Sequence, residues 1–428
     1  MPPILRRMPP SRLLFSSTDR MKIYINYGAE KLSFNLSDSF EFKEIQPVAA
    51  HKVVTERDFH RIVESAEKHL FPVASATLFI VNDAYRPTPN DVILRWLSDS
   101  RRLNSDARFL VACGCHPAPS EEQLRRILGT HYDELKDRVV VHDADNLFEM
   151  VAVGQDRAGE PVYLNRNFLE HERVVVIGSV EPHYFAGFTG GRKSIFPGIC
   201  DRATTIRNHD LATSFDAAPM KLEGNPVEEH MRSLMSLLGE KKVFGIQMVL
   251  SRGAGLTFLH CGELKESFIE AARDSEGIFS RKVKSKFDLV LAEVLPPLDS
   301  NLYQVQKALE NCQTAVKDGG TVILFSPCSE GIGSESFFDL ADRCKPDSPE
   351  ELEPADRFGI HKLHRVFRIG RRINIFLYSE LPRGVPDKVY FRSCTSPRDI
   401  IDGMVEDSFD IIKTAVVRDA GHTVVTVH

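Results

Sequence analysis

The chain has 428 residues, 42% of them hydrophobic and 27% charged, a globular composition that supports a large core and excludes a disordered chain. A net charge of −6 at pH 7 supplies no broad cationic field for nucleic acid or an acidic membrane, and no apolar run approaches the roughly 20 residues of a membrane helix. A small-molecule enzyme of two to three domains is the class that remains, at roughly 150 residues per domain.

The first twenty residues carry four arginines, several serines and a single acid. They read as a disordered or misassigned tail outside the fold, ahead of an alternating strand pattern at 22–27. From there, short β-branched runs alternate with amphipathic stretches, the order of α/β layers. Residues 77–83 predict a buried strand, followed by a Pro-rich turn at 87–89 and a helix through Trp96. A strand at 108–113 precedes the capping box Ser120-Glu-Glu-Gln123 and a helix stop at Gly129. Strands follow at 139–141 and 173–178, and Asn225-Pro-Val-Glu228 opens a helix that Gly239 ends. The alternation restarts with a strand at 287–293, a helix over 301–317 closed by Gly319-Gly320, a strand at 321–326 and a surface loop at 344–355. The predicted architecture is two α/β domains, 21–280 and 281–428, with the active site in the cleft between them.

Eight dispersed cysteines include no CxxC pair and form no dense framework, which fits a reducing compartment and a cytoplasmic protein. Cys113-Gly-Cys115 reads as a strand-end thiol pair rather than a metal site.

Polar clusters fall just after predicted strands, where open α/β sheets gather ligands: Asn82 to Arg86, Gly114 to His116, Glu181 to His183, and Ser300 to Gln304. The run from Gly187 to Ser194 imitates a phosphate loop, but Arg192 stands where the last glycine of GxxxxGK[ST] is needed. Lys193 in that loop remains a candidate anion or covalent-adduct site, because burial and a neighbouring cation lower an amine's pKa. His209 sits in a helix-like run without further metal ligands nearby. If it binds a metal, the other donors come from a cofactor or from distant residues. Tyr303, Gln304 and Lys307 share one helix face able to hold a carboxylate, or a solvated face.

Together, Glu181-Pro-His-Tyr-Phe-Ala-Gly-Phe-Thr-Gly-Gly-Arg-Lys-Ser-Ile195, Asp83-Ala-Tyr-Arg86, Gly114-Cys-His116, Asn208-His209, Asn301-Leu-Tyr-Gln-Val-Gln-Lys307 and Ser329-Glu-Gly-Ile-Gly333 resemble the nickel-dependent lactate racemase family. These are the nickel-pincer nucleotide racemases and epimerases of 2-hydroxy acids, and the resemblance runs over roughly residues 21 to 420. It implies a nickel-pincer nucleotide covalently attached through Lys193, with His209 as the protein's nickel ligand in square-planar geometry. It also implies that Asp83, Ala84, Tyr85 and Arg86 line the cofactor, and that Arg86, Tyr303, Gln304 and Lys307 bind substrate. His116 and His183 are the implied acid/base pair for a hydroxyl proton while hydride leaves and returns to C2. The expected partners are a small 2-hydroxy acid and cofactor-biosynthesis proteins, with no nucleic acid and no membrane.

The sequence departs from the family at Cys115, Pro117, Ala118 and Tyr85, and its one tryptophan, Trp96, leaves none in the second unit. Lactate itself is therefore left open as substrate. A sugar-acid (aldonate) 2-epimerase is the alternative, and a cofactor-binding protein without turnover is the reading from another class.

Overall fold

The computed structural model describes residues 21–428 except 51, 70–76, 87, 104, 346–351, 354–356 and 408–409, with the side chain of 336 also outside the description. The N-terminal tail, Pro87 of the predicted turn and most of the 344–355 loop therefore lie outside the described residues.

Two six-stranded sheets organise the chain. The first has the order Gly255–Glu263, Val243–Ser251, Arg173–Ser179, Thr77–Asn82, Arg108–Ala112, Val139–Val141, parallel throughout except for its antiparallel first pair. Thr77–Asn82 is buried along its whole length, as a parallel strand covered on both faces must be, which is why it reads as a continuous apolar run. From Thr77–Asn82 the chain builds outward through the next two strands, then returns to the opposite side with Arg173–Ser179. This reversal opens a crevice at the carboxyl ends of the two central strands. The helix Glu121–Leu128 begins at the Ser120–Gln123 capping box and stops at Gly129, whose φ of 58° suits glycine.

The second sheet is wholly parallel, in the order Arg392–Cys394, Asn374–Tyr378, Val316–Phe325, Phe287–Glu293, Ile412–Val417, Phe40–Ile45. Its last strand corrects the expected domain limits. Residues 21–45 do not belong with the first unit: Phe40–Ile45 pairs with Ile412–Val417, and the hairpin Met21–Tyr27 with Glu30–Leu36 lays Ile23, Ile25, Phe34 and Leu36 on Leu289, Leu291, Ile323 and Phe325. The hairpin's alternating apolar face, with Ile401 of the helix Pro397–Asp407, removes that sheet face from water. The chain enters the first unit between Ile45 and the helix Glu56–Glu67 and leaves it at Ser280–Val283, a strand paired with Val424–Val427. These two crossings lie side by side, with the Val48 N–H donating to the Ile278 carbonyl at 2.9 Å and Arg281 Nε to the Gln46 carbonyl at 2.6 Å.

The helix expected over 301–317 is shorter, Leu302–Cys312. Val316 already pairs with Phe287, and Gly319 and Gly320 lie in a bulge of the strand rather than after a helix. Arg372 accounts for the early stop by donating to the carbonyls of Gln313 and Val316, which a longer helix would otherwise use.

A buried ion pair inside the second unit holds the arginine that ties the two units together. Arg365 donates to both carboxylate oxygens of Glu310 at 2.6 and 2.8 Å, and its remaining terminal nitrogen reaches the Ala212 and Ser214 carbonyls of the first unit, both at 3.0 Å. All five donors of a guanidinium suit such a fork-like arrangement, which a lysine would not reproduce. All eight cysteines are free thiols. Among the described residues no helix is long and apolar enough to cross a membrane.

Candidate active site

The crevice of the first sheet faces the second unit, and a cavity of about 130 Å³ lies between them. Asp83, Tyr85, Arg86, His116, His183, Lys193 and His209 reach it from the first unit, and Tyr303, Gln304 and Lys307 from the second. Ala84 does not line it; this side chain turns back onto the core around Phe59 and Phe79.

His116 follows a tight turn after Arg108–Ala112. Gly114 adopts φ 56° and donates to the Gly198 carbonyl, and the His116 N–H closes the turn on Cys113. The imidazole Nδ1 lies 2.6 Å from Asp83 Oδ2, while Asp83 Oδ1 accepts the Tyr85 N–H at 3.2 Å. Burial alone would raise the Asp83 pKa, but the hydrogen bond and charge of His116 together with Arg86 hold it below the usual carboxylate range. Tyr85 stands edge-on to the His116 ring at 5.2 Å.

His183 lies in a two-stranded ribbon, Pro182–His183 with Gly187–Phe188. Its Nδ1 accepts the Ala186 N–H at 3.2 Å, which leaves Nε2 as the other ring nitrogen. Burial, and then the charges of Lys193, Arg86 and Lys307, push its pKa well below the ordinary value, so the ring is neutral at pH 7.

The glycine-rich loop behaves unlike a phosphate loop. Gly190 and Gly191 have φ of 73° and 53°, and a Cβ on them would meet Val180 at 2.7 Å and the Phe268 ring at 2.6 Å. The glycines thus let the loop pack tightly on neighbouring side chains. Arg192 points away from the cavity to Glu228 and stacks 4.1 Å from Phe268. Lys193 faces the cavity instead, with no hydrogen-bond partner for its amine among the described residues. Burial lowers its pKa to about 7, helped by Arg86, Arg192 and Lys307, so a large fraction of the amine is unprotonated near neutrality.

His209 is on the helix Arg202–Asp210, started by the Asp201 N-cap. Its Nδ1–H donates to the Thr205 carbonyl at 2.7 Å, which fixes the tautomer and leaves the Nε2 lone pair for a ligand. Burial and Lys193 lower its pKa to about 3. Among the described residues no three His, Cys, Asp or Glu side chains gather as a metal site, so a metal at His209 needs donors that are not protein side chains.

Asn301 caps the helix Leu302–Cys312 through the Gln304 N–H and so sets Tyr303, Gln304 and Lys307 toward the cavity. The Gln304 Oε1 atom is buried without a donor. Burial and Arg86 lower the Lys307 pKa to about 7. Neither Lys307 nor the Arg86 guanidinium has an ion-pair partner among the described residues. Arg86, Lys193 and Lys307 thus face one cavity whose single lining carboxylate among the described residues, Asp83, is already paired with His116. Such a set is built to receive anions.

The second unit also supplies Phe358, His361 and Lys362, which the sequence reading missed. His361 stacks on His209 with ring centroids 5.4 Å apart, and its Nε2 lies 3.2 Å from Tyr184 Oη. Lys362 covers the Tyr303 ring at 3.7 Å and donates to the Tyr303 carbonyl at 3.0 Å. The available signal was polar residues at inward positions of the helix Ile360–Gly370, where apolar ones are expected.

Comparison with known proteins bears on the family and the fold. Residues 27–220 match the model of the lactate racemase N-terminal domain and residues 284–353 that of the lactate racemase C-terminal domain, together more than half of the chain. The lactate racemase of Thermoanaerobacterium thermosaccharolyticum is 29% identical over 333 residues, covering 74% of this chain and 76% of that protein. That of Lactiplantibacillus plantarum is 31% identical over 288 residues, covering 64% and 65%. The fold is similar to that of the T. thermosaccharolyticum lactate racemase apoprotein, with a TM-score of 0.80 at 24% identity over 95% of this chain and all of that one. A Thermotoga maritima protein shares the fold at a TM-score of 0.69 and 17% identity, over 89% of this chain and all of that one. With both domain models matched in order along one chain, the protein belongs to the lactate racemase family.

Proposed function

We propose that this protein is a racemase or epimerase that inverts C2 of a 2-hydroxy carboxylic acid, using a nickel-pincer nucleotide held by Lys193 and His209. The observation that carries the reading is the joint presence, around one cavity, of the histidines His116 and His183 and of Arg86, Lys193 and Lys307, which have no ion-pair partner among the described residues. The residues suit the cofactor: Lys193 offers a buried, partly neutral amine for covalent attachment, His209 offers Nε2 for nickel, and the other metal donors would come from the nucleotide. When bound, that cofactor supplies a reversible hydride acceptor. Such chemistry is needed because the C2–H beside an ionised carboxylate is too weakly acidic for simple proton abstraction.

The chain's own residues bind, orient and move the proton. Arg86 and Lys307 receive the substrate carboxylate, and the orphaned Gln304 Oε1 accepts a ligand hydroxyl. His116, oriented by Asp83, and His183, oriented by the Ala186 N–H, take the C2 hydroxyl proton from one stereoisomer and return a proton to the other. Tyr184, Phe185, Phe358 and His361 close the apolar side of the cavity and limit water there. A cofactor carrier without turnover would need Lys193 and His209 but not the Asp83–His116 pair. The cofactor would be supplied by biosynthetic proteins in a reducing compartment, and the cytoplasm fits that chemistry.

The test is a panel of single-enantiomer 2-hydroxy acids and aldonic acids incubated with cofactor-loaded protein and scored by chiral chromatography. Inversion of at least one member is expected. Retention of configuration by every member overturns the proposal in favour of a carrier.

A further inference from the structure

Behind His183 a side cavity opens off the main one, sharing Tyr85, Arg86, His183 and Lys307 with it. Its free volume of about 10 Å³ admits a single water-sized group. The wall is polar on one side: Glu181, 4% exposed, presents a carboxylate with no hydrogen-bond or ion-pair partner among the described residues. His422 lines the same cavity, with its Nδ1 3.0 Å from Asp419 Oδ1, while Arg252 Nε holds Asp419 Oδ2 at 3.1 Å. His422 Nε2 has no partner among the described residues. Burial disfavours the charged ring, but Asp419 outweighs it and raises the His422 pKa. A buried carboxylate left without a donor is costly, and a protein retains one where a ligand completes it. A hydroxyl complements this lining: it donates to the Glu181 carboxylate, and its oxygen accepts from His422 Nε2 when the Asp419-paired ring is protonated.

We infer that the Glu181–His422 side cavity holds a hydroxyl on the substrate carbon next to C2, making the preferred substrate a 2,3-dihydroxy acid rather than one with an alkyl side group. The inference rests on the racemase reading above, since Arg86, Lys307 and His183 place the C2 centre at the cavity mouth. A cavity of this size, lined also by Pro297 and Leu298, has no room for a longer side group, which assigns the hydroxyl to C3.

The test compares glycerate with 2-hydroxybutanoate, which differ by a hydroxyl against a methyl at C3, using cofactor-loaded protein. For inversion, kcat/KM for glycerate is expected to exceed that for 2-hydroxybutanoate by at least about tenfold, the value of one hydrogen bond to a charged group. Glu181→Met, which replaces a buried charge by an apolar side chain of similar size and is therefore expected to fold, should bring the ratio to one or below. Glu181→Gln, which keeps an acceptor, should retain part of the preference. Calorimetric binding of both acids accompanies the kinetics. Equal use of the two acids by wild type, or an undiminished preference in Glu181→Met, overturns the inference while leaving the racemase reading intact. If neither these two acids nor any member of the panel above is inverted, but glycerate binds at least about tenfold tighter and Glu181→Met abolishes the difference, the inference stands and the racemase reading falls. Absence of both inversion and preferential binding overturns the inference.

Discussion

Lys307 gives the sharpest test of the site's electrostatics. Its pKa of about 7 results from burial and the Arg86 charge, so binding a carboxylate must draw it back toward the protonated form. At pH 8 a lysine of that pKa is only about one-tenth protonated, and carboxylate binding should take up about 0.9 proton; at pH 6 the uptake should fall to about 0.1. Affinity for the acid should drop about tenfold per pH unit above 7 until the pKa of the bound form is reached. Calorimetric titration of unloaded protein with a 2-hydroxy acid, in two buffers of different ionisation enthalpy, measures this uptake directly. Lys307→Arg supplies a side chain that stays charged, so its uptake at pH 8 should be smaller by Lys307's share of about 0.9 proton. Because the charge at 307 also lowers the Lys193 pKa, both proteins are compared in a Lys193→Met background, where the difference isolates Lys307. Equal uptake at pH 8 by wild type and Lys307→Arg, or none by wild type, would refute the reasoning.

Other consequences concern the remaining parts of the site and the fold. Lys193→Ala and His209→Ala should lose nickel after loading, whereas His116→Ala or His183→Ala should retain it and lose about 10²–10⁴ in inversion rate; metal analysis beside chiral assay separates the two outcomes. Asp83→Asn, which weakens the orientation of His116, should lower kcat by about 10- to 100-fold with little change in bound nickel, an effect that a metal-loading defect would not give. Because both lysines have folded pKa values near 7, below the unfolded 10.5, the unfolded chain binds more protons between those limits. Their contribution to stability therefore rises as pH increases from about 7, and replacing either by Met should flatten the rise in Tm of the unloaded protein. Arg365→Met strands the buried Glu310 carboxylate and should cost about 3–5 kcal/mol in denaturant unfolding, while adding Glu310→Met should recover most of it; no recovery would assign the cost to the Ala212 and Ser214 carbonyls instead.

What the sequence made legible follows from how local each signal is. Buried parallel strands announce themselves as β-branched runs, and in this topology their carboxyl ends deliver Asp83, His116 and His183 to one crevice. His209 and Lys193 were identifiable as candidates; the hydrogen bond that aims His209 Nε2 is local, to Thr205 one turn back in the same helix, whereas the burial that lowers the Lys193 pKa is a tertiary fact. Pairing between Phe40–Ile45 and Ile412–Val417 joins segments more than 360 residues apart, and nothing in either names its neighbour. The overlong helix came from treating Gly319-Gly320 as a stop, where the backbone uses the glycines for a bulge beside Arg372. His361 and Lys362 were missed because they sit in an otherwise ordinary amphipathic helix, and only the facing of the two units gives them a place in the cavity.

The paired crossings at Gln46–Val48 and Ile278–Arg281 act mechanically as two straps stitched side by side. A single strap would let one unit swivel on the other. Two adjacent straps resist torsion and leave bending about the line through them as the softer motion. Residues from opposite units that must cooperate, such as His183 and Lys307, would then return to the same mutual register after every opening.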